Sequence, residues 1–182
     1  MGRVAAVVLA AGEATRFGAP KQRLLLPHVL ARLGEAPVDE IVVVEGAYPL
    51  ELPCDTLSQA VPARLVRCAD WERGPGASLR CGVAALGPEV EAAAVVLADG
   101  PELSPAAVAR TLEAWRRSGG IVAASYGGER GHPLVLGRAD WDRVPDEGLR
   151  ALEVRLVPCD DLGAPGDVDR PEDLARLDGS GS

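Results

Sequence analysis

The sequence predicts an α/β fold: a mostly parallel sheet with helices packed on both faces. Three observations predict it. Short apolar runs alternate with helical patterns through the first two thirds of the chain. The composition is 47% hydrophobic but only 3% aromatic, so the core is built from Ala, Val and Leu, as in a sheet covered by helices. The 182 residues are enough for one domain with a substantial core.

The elements follow in order. "RVAAVVLAA" (3–11), "EIVVVEG" (40–46), "ARLVRC" (63–68), "AAAVVLAD" (92–99) and "GIVAASY" (120–126) are β-branched or alanine-rich runs of strand length. "HPLVLG" (132–137) and "EVRLVPC" (153–159) read as two further strands. The segment 22–35 is apolar at helical spacing, with Pro27 expected near its start or at a kink. A second helix is expected over 76–87, after a Gly-Pro-Gly turn. A third covers 104–119, with Ser104 as N-cap, Pro105 at the first helical position and glycine at its end. A short terminal helix is expected over 170–178. No internal repeat or linker interrupts residues 1–178, which read as one domain; 179–182 read as a flexible tail.

Charge and composition exclude several classes. The net charge of −8 is wrong for a nucleic-acid partner, because phosphate-backbone binding needs a basic face. No apolar run reaches the roughly 20 residues that span a bilayer. The first ten residues read as a strand rather than a signal peptide, and a cytoplasmic location is expected. Cys54, Cys68, Cys81 and Cys159 form no C-x-x-C pair and read as free thiols rather than a zinc site. His28 and His132 are too few and too far apart for a histidine metal centre. Trp71, Trp115 and Trp141 read as core or rim.

The chemistry is concentrated after the first strand. The chain continues Gly12-Glu13-Ala14-Thr15-Arg16-Phe17-Gly18-Ala19-Pro20-Lys21. This spacing fits neither a Walker loop nor the G-x-G-x-x-G dinucleotide fingerprint. It still suits phosphates: small residues let successive N–H groups approach an anion, and Arg16 offers a bidentate fork. Lys21 is the only lysine in a chain that otherwise uses arginine for every cation, which suggests a position where a compact ammonium is wanted. Read from spacing alone, the same stretch is equally a glycine turn with two solvated cations. Later, Asp99 ends an apolar strand, where open α/β sheets bind ligands, and it is also a common turn former before Gly-Pro. Asp167 and Asp169 share one side of an extended segment and also suit the N-terminus of the last helix.

These residues carry a resemblance. "LAAGEATRFGAPKQ" resembles the signature L-A-x-G-x-G/S-x-R-x-G-x-x-K of the nucleotidyltransferase superfamily that includes the molybdopterin cytidylyltransferases and MobA-like NTP transferases. "GPGASLRCGVAAL" (74–86) is similar to that family's base-binding turn and helix, and "VVLADGPELSP" (95–105) to its strand ending in Asp-Gln-Pro. "RGHPLVLGR" (130–138) resembles the Gly-His-Pro motif of the molybdopterin cytidylyltransferase branch, and "GDVDRPEDL" (166–174) its D-x-D-T-P-E-D element. Five motifs in order are far more specific than any one of them.

The resemblance implies a Rossmann-like three-layer α/β/α sandwich with a mixed sheet, of the nucleotide-diphospho-sugar transferase type. It implies that an acceptor phosphate attacks the α-phosphorus of an NTP and that pyrophosphate leaves, with Mg²⁺ as cofactor. Lys21, Arg16 and Asp99 would be catalytic. Leu9, Ala10, Ala11, Gly12, Glu13, Ala14, Thr15, Lys21 and Ser78 would contact the nucleotide, and Asp99 and Asp169 would hold the metal, with Asp167 the alternative to Asp169. Ser78 either contacts base or ribose or simply caps its helix; His132 either orients the second substrate or only packs. "LAAG" and "GHP" favour CTP as donor and molybdopterin as acceptor, with a molybdoenzyme as a further partner.

Three departures stand out: Ala14 replaces the loop's glycine or serine, Gly100 replaces glutamine, and the G-x-P-L-L hairpin after "PKQ" is missing. They keep open transfer to a sugar phosphate or another small phosphorylated metabolite, and a non-catalytic nucleotide-binding accessory of a molybdoenzyme. A Rossmann dehydrogenase is disfavoured, because Glu45 is its only candidate ribose acid.

Overall fold

The computed structural model describes residues 2–13, 21–53 and 61–166. Seven strands form one sheet: β1 (Arg3–Leu9), β2 (Glu40–Glu45), β3 (Ala63–Arg67), β4 (Val90–Leu97), β5 (Ile121–Tyr126), β6 (Glu129–Gly137) and β7 (Arg155–Pro158). Three helices, α1 (Lys21–Gly34), α2 (Pro75–Ala84) and α3 (Pro105–Ser118), cover it. The sheet order is β3-β2-β1-β4-β6-β5-β7, and β6 alone runs against its neighbours. The expected α/β/α sandwich with a mostly parallel, mixed sheet is therefore the observed fold. The expected terminal helix over 170–178 lies outside the described residues.

The layers follow from alternation along buried strands. Val4, Ala6 and Val8 of β1 face one way, with Ile41, Val43, Ala94 and Val96, onto Leu26, Val29 and Leu30 of α1 and Val108 and Leu112 of α3. Ala5 and Val7 face the other way, with Val42, Val44, Ala93 and Val95, onto Leu79 and Val83 of α2 and onto Trp141, Val144 and Leu149. Alanine at four of these strand positions, Ala5, Ala6, Ala93 and Ala94, lets the helices lie close to the sheet. At Gly82 a Cβ would come within 2.6 Å of Val7 and 2.8 Å of Val44. Among the described residues no helix is long and apolar enough to cross a membrane.

Two helix starts differ from expectation. Pro27 lies inside α1, on its exposed side, rather than near its start. There water can reach the carbonyl that its missing N–H leaves unpaired. Helix α2 begins at Pro75 with Gly74 as N-cap, so Ser78 sits within the first turn and does not cap it. The cap is supplied from elsewhere: Gly76 N–H donates to the Asp146 carbonyl (3.0 Å). Ser104 does stand at the N-cap of α3, but its side chain makes no capping hydrogen bond.

The tight join between α2 and residues 145–148 makes a prediction. A Cβ at Gly76 would overlap the Pro145 carbonyl, a backbone group with little room to yield. Gly76→Ala is expected to lower unfolding stability by about 1–3 kcal/mol, as over-packing does. Urea denaturation checks this, and an unchanged midpoint would contradict the packing described.

Candidate active site

The sheet reverses its order of construction between β1 and β4, and β1 and β4 end level, Leu9 opposite Leu97. A crevice outside the carboxyl ends of the strands is expected at such a point. The two charged groups singled out from the sequence meet there: Lys21 Nζ lies 3.2 Å from Asp99 Oδ2. Lys21 is brought in by α1, whose first residue it is, and Asp99 by the turn after β4. The lysine side chain is 9% exposed and the aspartate 30%. An ammonium this deep is costly without an opposite charge, and Asp99 provides one.

Gln22, also buried, fixes the loop that precedes α1: its Nε2 donates to the Gly12 carbonyl at 2.9 Å. Leu9, Ala10 and Ala11 extend the sheet, because Ala98 N–H donates to Leu9 O, Ala10 N–H to Val44 O and Ala47 N–H to Ala11 O. Ala10 and Ala11 are buried, whereas Gly12 and Glu13 are exposed. Ala14, Thr15, Arg16, Asp167 and Asp169 lie outside the described residues. Ser78 is buried in the first turn of α2. Glu45 is spent structurally, accepting Leu50 N–H (2.7 Å) and pairing with Arg67 (3.7 Å), which removes the one acid a dinucleotide site would have used.

The crevice has two lobes. The first, about 460 Å³, is lined by Asp99, Gly100, Leu103, Tyr126, Arg130, His132 and Pro165 among others. The second, about 580 Å³, runs from Leu9, Pro75 and Leu79 to Leu134, Glu147 and Arg150. Arg130, Gly131 and His132 line both lobes and form the wall between them. This wall is the β5–β6 hairpin, turned by Gly127 (φ +61°) and Gly128 (φ +80°), the paired left-handed residues that a two-residue hairpin loop favours. Tyr126 Oη donates to the His132 carbonyl (3.0 Å), and burial pushes the phenol up to about 12. Burial likewise lowers the His132 imidazole to about 4; Asp99 opposes that shift, and Arg130 and Arg150 add to it. His132 is therefore neutral at pH 7. It faces Asp99 across the first lobe, a neighbour that sequence separation alone did not reveal.

Gly100 has a packing reason. A Cβ there would meet Pro165 Cβ at 3.0 Å, because 163–166 folds over the turn and Pro165 O accepts Glu102 N–H (2.9 Å). A glutamine cannot share that space without moving the strap. Cys68, Cys81 and Cys159 are free thiols, as expected, and burial is the largest cause raising Cys81 to about 11. Among the described residues no three His, Cys, Asp or Glu side chains converge to hold a metal. Asp99 alone fits a hard cation that takes one or two carboxylates and fills its shell with phosphate and water oxygens.

Comparison with known proteins agrees with this geometry. A family model described as the MobA-like NTP transferase domain matches residues 6–156. The chain belongs to that family and is a nucleotidyltransferase, an enzyme class that typically depends on a divalent metal. A homologue of Mycobacterium tuberculosis rv0371c from Mycobacterium sp. strain JC1 is 28% identical, with a TM-score of 0.74 over 96% of this chain and 94% of that one. Rv0371c of M. tuberculosis H37Rv, solved as a manganese complex, is 24% identical, with a TM-score of 0.70 over 98% and 99%. A 4-diphosphocytidyl-2C-methyl-D-erythritol synthase from Anaerococcus prevotii shares the fold at 17% identity, with a TM-score of 0.69 over 97% and 99%. No curated protein matches the chain significantly.

The ion pair makes its own prediction. A double-mutant cycle with Lys21→Met and Asp99→Asn is expected to give a coupling energy of about 0.5–3 kcal/mol, the range for side chains in direct contact. Chemical denaturation of the four proteins measures it; strictly additive losses would contradict the contact.

Proposed function

We propose that the chain transfers CMP from CTP to the phosphate of molybdopterin, using Mg²⁺ and releasing pyrophosphate. The observation that carries the chemistry is the Lys21–Asp99 pair at the crossover of β1 and β4. An acceptor phosphate oxygen bonds to the α-phosphorus as the bond from that phosphorus to the pyrophosphate oxygen breaks. The protein's part is alignment and charge stabilisation. Lys21 supplies a fixed positive charge where the α-phosphate charge rearranges, in a setting too dry for water to screen it. Arg16 grips the remaining phosphates, and the backbone of Gly12, Glu13, Ala14 and Thr15 lines them. Asp99, with Asp169 or Asp167, would hold Mg²⁺, which would supply charge neutralisation to the phosphates. Ser78, on α2, contacts base or ribose.

Support for cytidine is local. Ala11 stands where guanylyl-type relatives carry glycine, and its methyl is buried close to Gly46, after β2. His132 of "GHP" lines both lobes, where it can meet the second substrate. One observation favours a second reading, transfer to another small phosphorylated metabolite: α1 starts at Lys21 itself, so the residues after "PKQ" are helix and no hairpin follows them to narrow the acceptor side.

The test is pyrophosphate release with Mg²⁺, molybdopterin and each NTP in turn. CTP is expected to lead, and Lys21→Ala to reduce kcat about a hundredfold or more. No release with any NTP, or a Lys21→Ala enzyme with unchanged kcat and only a raised KM, would contradict the proposal.

A further inference from the structure

The wall between the lobes has no role in the account above, and its chemistry is specific. Pairing of β4 with β6 ends at Val95 and Leu134, so the hairpin end of β6 stands past the carboxyl edge of the sheet. Arg130 is anchored on that overhang: Nη1 and Nη2 donate to the Leu152 (3.3 Å) and Leu149 (2.6 Å) carbonyls. Both acceptors are neutral. The turn that Arg130 grips, Leu149–Ala151, carries Arg150, which is exposed and lines the second lobe.

Among the described residues neither arginine forms an ion pair, whereas Arg64, Arg73, Arg80 and Arg110 each meet a carboxylate. Of the acids flanking this turn in sequence, Asp146 is already taken by Arg73 and Arg80, and Glu153, two residues past the turn, pairs with neither arginine. Glu147 lines the second lobe and Glu129 the first, and neither bonds to Arg130 or Arg150. Burial, and then repulsion from Arg150, make Arg130 a weaker base than an ordinary arginine. Two like charges are thus held together, and neither is neutralised by an ion pair among the described residues.

We propose that Arg130 and Arg150 form an anion subsite that receives the phosphate monoester of the acceptor. The inference rests on the nucleotidyl-transfer reading for the word acceptor, but not for the anion. A monoester dianion suits two guanidinium forks, each able to give paired hydrogen bonds. The assignment to the acceptor follows from position: the triphosphate is assigned to the loop after β1, whereas both arginines stand across β4, on β6 and the turn beside it, with Arg130 lining both lobes and Arg150 the second. Arg130 positions the turn as well as contacting the anion, so Arg150, which makes no hydrogen bond or ion pair among the described residues, is the cleaner variant.

The experiment is a ³¹P NMR titration of the full chain with phenyl phosphate in the presence of saturating Mg²⁺–CTP, for wild type and Arg150→Ala. Mg²⁺–CTP affinity is measured separately for both proteins. Arg150→Ala is expected to weaken phenyl phosphate binding about tenfold or more, as loss of charge-assisted hydrogen bonds does, with CTP affinity kept within about twofold. Equal phenyl phosphate affinity in the two proteins, or no binding to wild type, overturns the subsite. Parallel weakening of both ligands overturns its assignment to the acceptor. If neither protein binds CTP yet phenyl phosphate still depends on Arg150, the subsite stands and the cytidylyl reading fails.

Discussion

A buried ammonium facing a carboxylate across the junction of two parallel strands is the constraint on which the rest of the molecule depends. Neither group is stable there alone. The lysine has lost most of its water, and the aspartate sits at a strand end with a lobe opening in front of it. Their attraction fixes the start of α1 relative to the end of β4. Next to Lys21, Gln22 binds the Gly12 carbonyl beyond the end of β1.

The sheet makes that arrangement rigid. Its centre is almost all alanine and valine, buried on both faces, and α2 packs closely enough that Gly82 has no room for a methyl. Small residues bring the layers close, and close layers leave the polar groups little freedom to drift. The candidate functional groups stand at the rim, where the strands end: Asp99 after β4, Lys21 at the start of α1, and the hairpin end of β6 projecting past the β4 pairing. The single reversed strand has a consequence here. A parallel strand at the position of β6 would end at this edge and lead into a loop; an antiparallel one begins there and can stand over it as a wall.

Much of this was legible in the sequence. Apolar runs located the central strands, since strands buried on both faces need no polar alternation, whereas the edge strands β3 and β7 carry arginines and are only partly buried. The lone lysine and the aspartate at a strand end identified the two charged groups that the fold brings within contact distance. What was not legible depended on contacts between distant segments. Ser78 reads as a cap from its neighbours, but the cap of α2 is the Asp146 carbonyl, nearly half the chain away. Gly100 reads as a lost glutamine, whereas its reason lies in Pro165. Arg130 and Arg150 look like ordinary surface arginines with acids close by in sequence (Glu129, Glu147 and Glu153), and only the fold shows that neither forms an ion pair among the described residues, because pairing is a property of the fold.

The central claim, that Lys21 and Asp99 act on one metal-bound triphosphate, is tested most directly by electron paramagnetic resonance titration of Mn²⁺ into the CTP complex of wild type and Asp99→Asn. If the claim holds, the variant loses at least about tenfold in Mn²⁺ affinity while remaining folded. Equal Mn²⁺ affinity in the two proteins would contradict it.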